Sequence, residues 1–128
     1  MAKAPLIVIV DDDDSVREAT KNLIRVLGYH VDAFASAEDF LNSDLVPATS
    51  CLITDVQMPG MSGVELQREL SAGGHRTPII FVTAYPDEAI ETRVIRNGAI
   101  GYLSKPLQEQ SLLACIDEAL NAEDDRPT

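Results

Sequence analysis

Tryptophan is absent, and Phe and Tyr supply only three residues each among 128. A core built from this chain must be aliphatic, and a broad aromatic platform for stacking bases is excluded. Cations are scarce too: ten Lys and Arg face 21 Asp and Glu, for a formal net charge of −11. Phosphate backbones and anionic membrane surfaces need clustered cations, so neither direct nucleic-acid binding nor membrane binding is expected. Metal cations and partners with basic patches are favoured instead. The two cysteines, Cys51 and Cys115, form no CxxC pair and no Cys/His metal spacing, and read as core thiols in apolar surroundings. No apolar run approaches the roughly 18 residues of a membrane span. The short run Ala4–Val10 leads directly into Asp11–Asp14 and not into a small-residue cleavage site. It therefore reads as structure, and a cytoplasmic location is expected.

What is present is ordinary for a globular chain: 45% hydrophobic and 24% charged residues, enough for one domain with one core. The domain is expected over residues 1–122, with the acidic stretch 123–128 as a tail or the start of a linker. Short apolar runs recur about every 25 residues, at Leu6–Val10, His30–Phe34, Cys51–Thr54, Ile79–Thr83 and Ile100–Leu103. Most are nearly continuous in apolar character, as in parallel strands buried on both faces. Between them lie helical patterns: Val16 to Leu27, a short turn capped by Ser36 with Phe40 and Leu41 on one face, Gly63–Ala72, Pro86–Asn97, and a last one carrying Leu112, Leu113, Ile116 and Leu120. Five strand–helix repeats predict an α/β three-layer sandwich. Its five-stranded parallel sheet takes the flavodoxin-like order 2-1-3-4-5, which places a ligand site beyond the carboxyl ends of strands 1 and 3.

The polar residues fall at those ends. Asp11 to Asp14 follow the first run, Asp55 follows the third, Thr83 closes the fourth, and Lys105-Pro106 come just after the fifth. Carboxylates gathered from two strands repel one another unless a cation joins them, and hard oxygen donors select Mg²⁺, Mn²⁺ or Ca²⁺. Asp11 and Asp12 are the expected ligands, whereas Asp13 and Asp14 read as caps of the first helix. A strand-end Asp55 beside a Pro/Gly loop suits a nucleophile that accepts a phosphoryl group. Thr83 can hydrogen bond a phosphoryl oxygen, and Lys105 can offset its charge.

These residues are similar to the receiver domain of two-component response regulators, in the FixJ-type branch. The resemblance rests on Ile7-Val8-Ile9-Val10-Asp11-Asp12-Asp13, on Thr54-Asp55-Val56-Gln57-Met58-Pro59-Gly60-Met61-Ser62-Gly63, on Thr83-Ala84 and on Lys105-Pro106, in that order, and covers about residues 5–122. It implies that Asp55 is the phosphoacceptor, fed by a histidine kinase or a histidine phosphotransfer protein. It implies that Mg²⁺ is held by Asp12, by Asp11 mainly through water, by Asp55 and by the Gln57 main-chain carbonyl. Thr83 and Lys105 would contact the phosphoryl group, and a cis bond before Pro106 would aim Lys105. Thr83 and Tyr102 would form the switch that remodels the surface of the fourth helix, fifth strand and fifth helix, where a target protein or a second copy docks. Kinase choice is expected on exposed first-helix residues Arg17, Glu18, Lys21 and Asn22. The domain would switch by its own phosphorylation and dephosphorylation, and would not turn over a substrate as an enzyme does.

Two other readings remain at this level. A haloacid-dehalogenase-type phosphatase would use Asp11-x-Asp13, but leaves Asp55 and Lys105-Pro106 unexplained. A receiver-like module that never takes phosphate would need no complete site. The output is equally open: a stand-alone regulator, or the N-terminal receiver of a longer transcriptional regulator.

Overall fold

A computed structural model describes residues 4–124. The five expected strands form as β1 (Leu6–Val10), β2 (His30–Phe34), β3 (Cys51–Asp55), β4 (Ile79–Thr83) and β5 (Gly101–Ser104). The helices are α1 (Asp14–Val26), α2 (Ala37–Leu41), α3 (Gly63–Ala72), α4 (Glu88–Arg96) and α5 (Glu109–Asp124). All strand pairs are parallel, in the order β2-β1-β3-β4-β5.

Period-two alternation splits the apolar strand residues between two cores. Val8, Val10, Leu52 and Phe81 face one side, where Phe40 of α2, Leu66 and Leu70 of α3 and Val94 of α4 cover them. Ile7, Ile9, Ile53, Ile80 and Val82 face the other, under Ile24 of α1 and Leu112, Ile116 and Ala119 of α5. This is the expected three-layer sandwich. Strands β1, β3 and β4 are covered on both faces, which is why they carry almost no polar residues. Strand β2 bonds only to β1; its His30 and Asp32 are exposed.

Several boundaries differ from the sequence pattern. Helix α4 begins at Glu88 and not at Pro86, because the Asp87 side chain accepts the Ala89 and Ile90 N–H groups and so takes the capping position. Strand β5 starts one residue later than the apolar run, at Gly101. Helix α5 runs on to Asp124, past the expected boundary at residue 122, and residues 125–128 of the expected tail lie outside the described residues. Asp13 caps α1 as expected, its carboxylate accepting the Val16 N–H at 3.0 Å.

The parallel register aligns the carboxyl ends. Val10 lies beside Thr54, Asp55 beside Val82, and Thr83 beside Ser104. The ladders run one residue further: the Asp11 N–H donates to Phe34 O at 3.1 Å, the Val56 N–H to Val82 O at 3.1 Å and the Lys105 N–H to Thr83 O at 2.8 Å. The backbone beneath each polar residue of interest is thus pinned to a neighbouring strand.

Candidate functional site

Asp11 leaves the end of β1 with only 5% of its surface exposed, and Asp55 closes β3 with its side chain 11% exposed. Lys105 Nζ sits between them, 3.1 Å from Asp11 Oδ2 and 3.0 Å from Asp55 Oδ2. Asp12 is exposed, and one carboxylate oxygen from each of Asp11, Asp12 and Asp55 lies within 4.8 Å of the others. Three carboxylates held so close form a strongly negative focus that one ammonium group only partly offsets. Hard oxygen donors of this kind fit a divalent cation such as Mg²⁺.

The protonation behaviour follows from this crowding. Burial pushes the Asp11 carboxyl above its ordinary range, and the nearby Asp55 charge adds to the rise. The Asp13 N–H and Lys105, which favour the ionised form, offset only part of it. Burial also works against the charge on Lys105, but hydrogen bonds to Asp55 and Asp11 outweigh it and hold the ammonium above its usual range. Lys105 is therefore a permanent cation at this site. The peptide bond to Pro106 is cis.

Thr83 lies at the end of β4, buried at 3% exposure, and its Oγ1 accepts the Tyr85 N–H at 3.0 Å. Gln57 is exposed in the loop after β3, and no hydrogen bond joins it to the carboxylates among the described residues. Tyr102 stands apart from the acidic cluster. It is half-buried against the core, and its hydroxyl accepts the Asp87 N–H at 3.1 Å and faces the Asp87 carbonyl at 3.5 Å. Thr83 and Tyr102 therefore grip the two ends of one segment, Tyr85–Asp87, which leads into α4.

Arg17, one of the surface residues of α1 expected to bear on kinase choice, is half-buried; its guanidinium folds back onto the site, donates to the Asp11 main-chain carbonyl at 2.8 Å and pairs with Asp14. The Asp14–Arg17 spacing on a helix is the signal that reveals half of this arrangement. The contact with the Asp11 carbonyl depends on the turn between β1 and α1, and no spacing encodes it.

Residues 7–117 match the family model of the response regulator receiver domain. The chain belongs to this family of two-component signalling domains. It is 42% identical over 118 residues to the response regulator protein TodT of Pseudomonas putida, covering 92% of this chain and 52% of that protein. The structure superposes on that of response regulator StyR with a TM-score of 0.89 at 42% identity, covering 97% of this chain and 63% of the other. It superposes on FixJ-N with a TM-score of 0.84 at 29% identity, covering 99% of each. This receiver chain spans about half the length of the curated relatives it matches. Among its described residues, no helix is long and apolar enough to cross a membrane.

Proposed function

We propose that this receiver takes a phosphoryl group on Asp55 from a phosphohistidine donor, with Mg²⁺ in the acidic cluster. The observation that carries the proposal is the Lys105 ammonium 3.0 Å from Asp55 Oδ2, set within three converging carboxylates at the sheet edge. Asp11, Asp12, Asp55 and the Gln57 main-chain carbonyl are the groups that would hold the metal. Bound there, Mg²⁺ neutralises charge on the transferring group.

The chain's own residues account for the rest. An Asp55 carboxylate oxygen forms a bond to phosphorus as the bond from phosphorus to the donor imidazole nitrogen breaks, and the donor leaves as the neutral ring once that nitrogen or its partner carries a proton. Asp55 gains phosphoryl oxygens that need two donors. Lys105 supplies an ammonium from one side, and Thr83 supplies a hydroxyl once its side chain turns from the Tyr85 N–H. That turn frees one end of the Tyr85–Asp87 segment, whose other end the Tyr102 hydroxyl holds. The reading-out surface is therefore α4–β5–α5, offered to a protein target or a second copy. Beside the acidic site, Val16, Ala19, Leu23, Pro106 and Leu107 line an apolar groove of about 240 Å³ between α1 and the loop after β5. It offers the donor's phosphohistidine-bearing segment a seat next to Asp55.

The coverage of about half of each relative favours the receiver part of a longer transcriptional regulator over a stand-alone one. In either setting the domain is a self-phosphorylating and self-dephosphorylating switch, not a turnover enzyme, acting in the cytoplasm. Acetyl phosphate, or a phosphohistidine protein where that small donor fails, should give a single phosphoryl adduct by intact mass. The adduct should vanish with EDTA and in Asp55→Asn. An adduct that persists in Asp55→Asn would place the acceptor elsewhere and overturn the assignment.

A further inference from the structure

The Gln57–Met61 loop is held less firmly than the rest of the site. Its flanks are pinned, with the Val56 N–H on Val82 O and the Gly63 N–H on Val56 O at 2.9 Å, and Ser62 caps α3. Met58 and Met61 lean on the core. Within Gln57–Met61 itself, one hydrogen bond to another element is found among the described residues: the Met61 N–H donates to Glu38 Oε2 of α2 at 3.1 Å. Glu38 approaches residue 60 closely, and the backbone there favours glycine. A Cβ there would lie 2.5 Å from Glu38 Oε2, and Gly60 has φ of +76°. Glu38 is exposed and 23 residues away in sequence, so it does not stabilise its own helix through this contact.

We propose that Glu38 is a positioning residue for the cation site. By accepting the Met61 N–H it fixes the loop and so the Gln57 main-chain carbonyl, and a divalent cation then finds that oxygen already in place. This rests on the reading that the acidic cluster and the Gln57 carbonyl hold Mg²⁺.

The charge on Glu38 also attracts a cation at long range, so the test must separate charge from tether. Glu38→Gln removes the charge and keeps an oxygen acceptor for the Met61 N–H, whereas Glu38→Ala removes both. Mg²⁺ is titrated calorimetrically into the unphosphorylated protein, and melting temperatures are taken in EDTA. Glu38→Ala should bind Mg²⁺ more weakly than Glu38→Gln, by up to about fivefold for the loss of one hydrogen bond of ordinary strength, and should melt no more than about 4 °C below it in EDTA. Met61→Pro, which removes the N–H that Glu38 accepts, should weaken Mg²⁺ binding in the wild-type background and much less in the Glu38→Ala background. Equal affinities for Glu38→Ala and Glu38→Gln, or additive effects of Met61→Pro and Glu38→Ala, would overturn the proposal. Asp12→Asn is the separate control: if it binds Mg²⁺ as the wild type does, the cation reading itself fails and Glu38 falls with it. Weakened binding in Asp12→Asn with no gap between the Glu38 variants sinks only the role of Glu38.

Discussion

Gly63→Ala should destabilise this protein, although glycine-to-alanine changes in helices normally help. Gly63 opens α3, and in a helix the change ordinarily gains about 0.5–1 kcal/mol from reduced backbone entropy. Here an added Cβ would lie 2.1 Å from the Asp55 carbonyl oxygen, 3.1 Å from its carbon and 3.3 Å from Phe81 Cε1. The first of these is a backbone atom of the strand end that the sheet pins, so neither side yields cheaply. Overpacking of this kind costs about 1–3 kcal/mol. At about 2.1 cal/mol/K per residue, unfolding this chain carries an entropy near 0.27 kcal/mol/K, so the expected drop in Tm is roughly 4–11 °C. Calorimetry or circular-dichroism melts give the number directly. Gly73→Ala is the internal control, since the atoms nearest an added Cβ there are His75 side-chain atoms, at 3.3 Å and beyond, and the Glu69 carbonyl oxygen at 3.5 Å. It should melt within about 2 °C of the wild type. A Gly63→Ala protein that melts at or above the wild type would show that β3 and α3 separate freely, and the close approach of Gly63 to Asp55 would lose its meaning.

Three further outcomes follow from the packing around the site. Asp11 is buried and its carboxyl titrates above the ordinary 3.8, so the folded state holds its proton more tightly than the unfolded state. The stability from that proton is present below 3.8 and is lost as pH rises through the raised value, so in EDTA Asp11→Asn should melt higher than wild type at pH 7, with the gap closing near pH 3. Lower melting of Asp11→Asn at pH 7 would contradict this. Gln67 is 6% exposed and donates its Nε2 to Val94 O at 3.1 Å, but its Oε1 has no partner among the described residues. Gln67→Leu removes that orphan, while Val94 O keeps the Ala99 N–H. Stability in urea should rise by about 1 kcal/mol, and a loss of that size would mean the Nε2 bond outweighs the orphan. Tyr102→Phe strips the hydroxyl from Asp87, so amide exchange at Ala89 and Ile90 should quicken by up to about tenfold. Unchanged protection would show that the hydroxyl does not hold the start of α4.

The strand order and both cores were legible because the apolar runs are continuous and the helices show one apolar stripe each. The acidic cluster was legible for a related reason. Parallel register places every strand's carboxyl end along one edge, so Asp11, Asp55 and Thr83 needed only their position after a run. Features that depend on side chains reaching between elements were not legible. Arg17 looks like any exposed helical cation until the turn before α1 brings Asp11 O within 2.8 Å. Glu38 reads as a routine acidic residue in the first turn of a five-residue helix. The burial of Gln67 has no local signal, because it comes from α4 packing across α3, a contact that no sequence spacing encodes. Pro86 drew the expected start of α4 forward, while the next residue, Asp87, forms the actual cap with two hydrogen bonds.

The edges of the sheet bear on how this chain behaves in crowded solution. Unpaired strand edges template aggregation unless charge, brevity or proline blunts them. Strand β2 carries the exposed His30 and Asp32 on its outer position, and β5 is only four residues long, ending a residue before the cis Lys105-Pro106 bond. Both flanks of the ladder therefore resist accretion of further strands. Any contact between folded copies is thereby left to the helical faces, since neither flank offers a long bare strand.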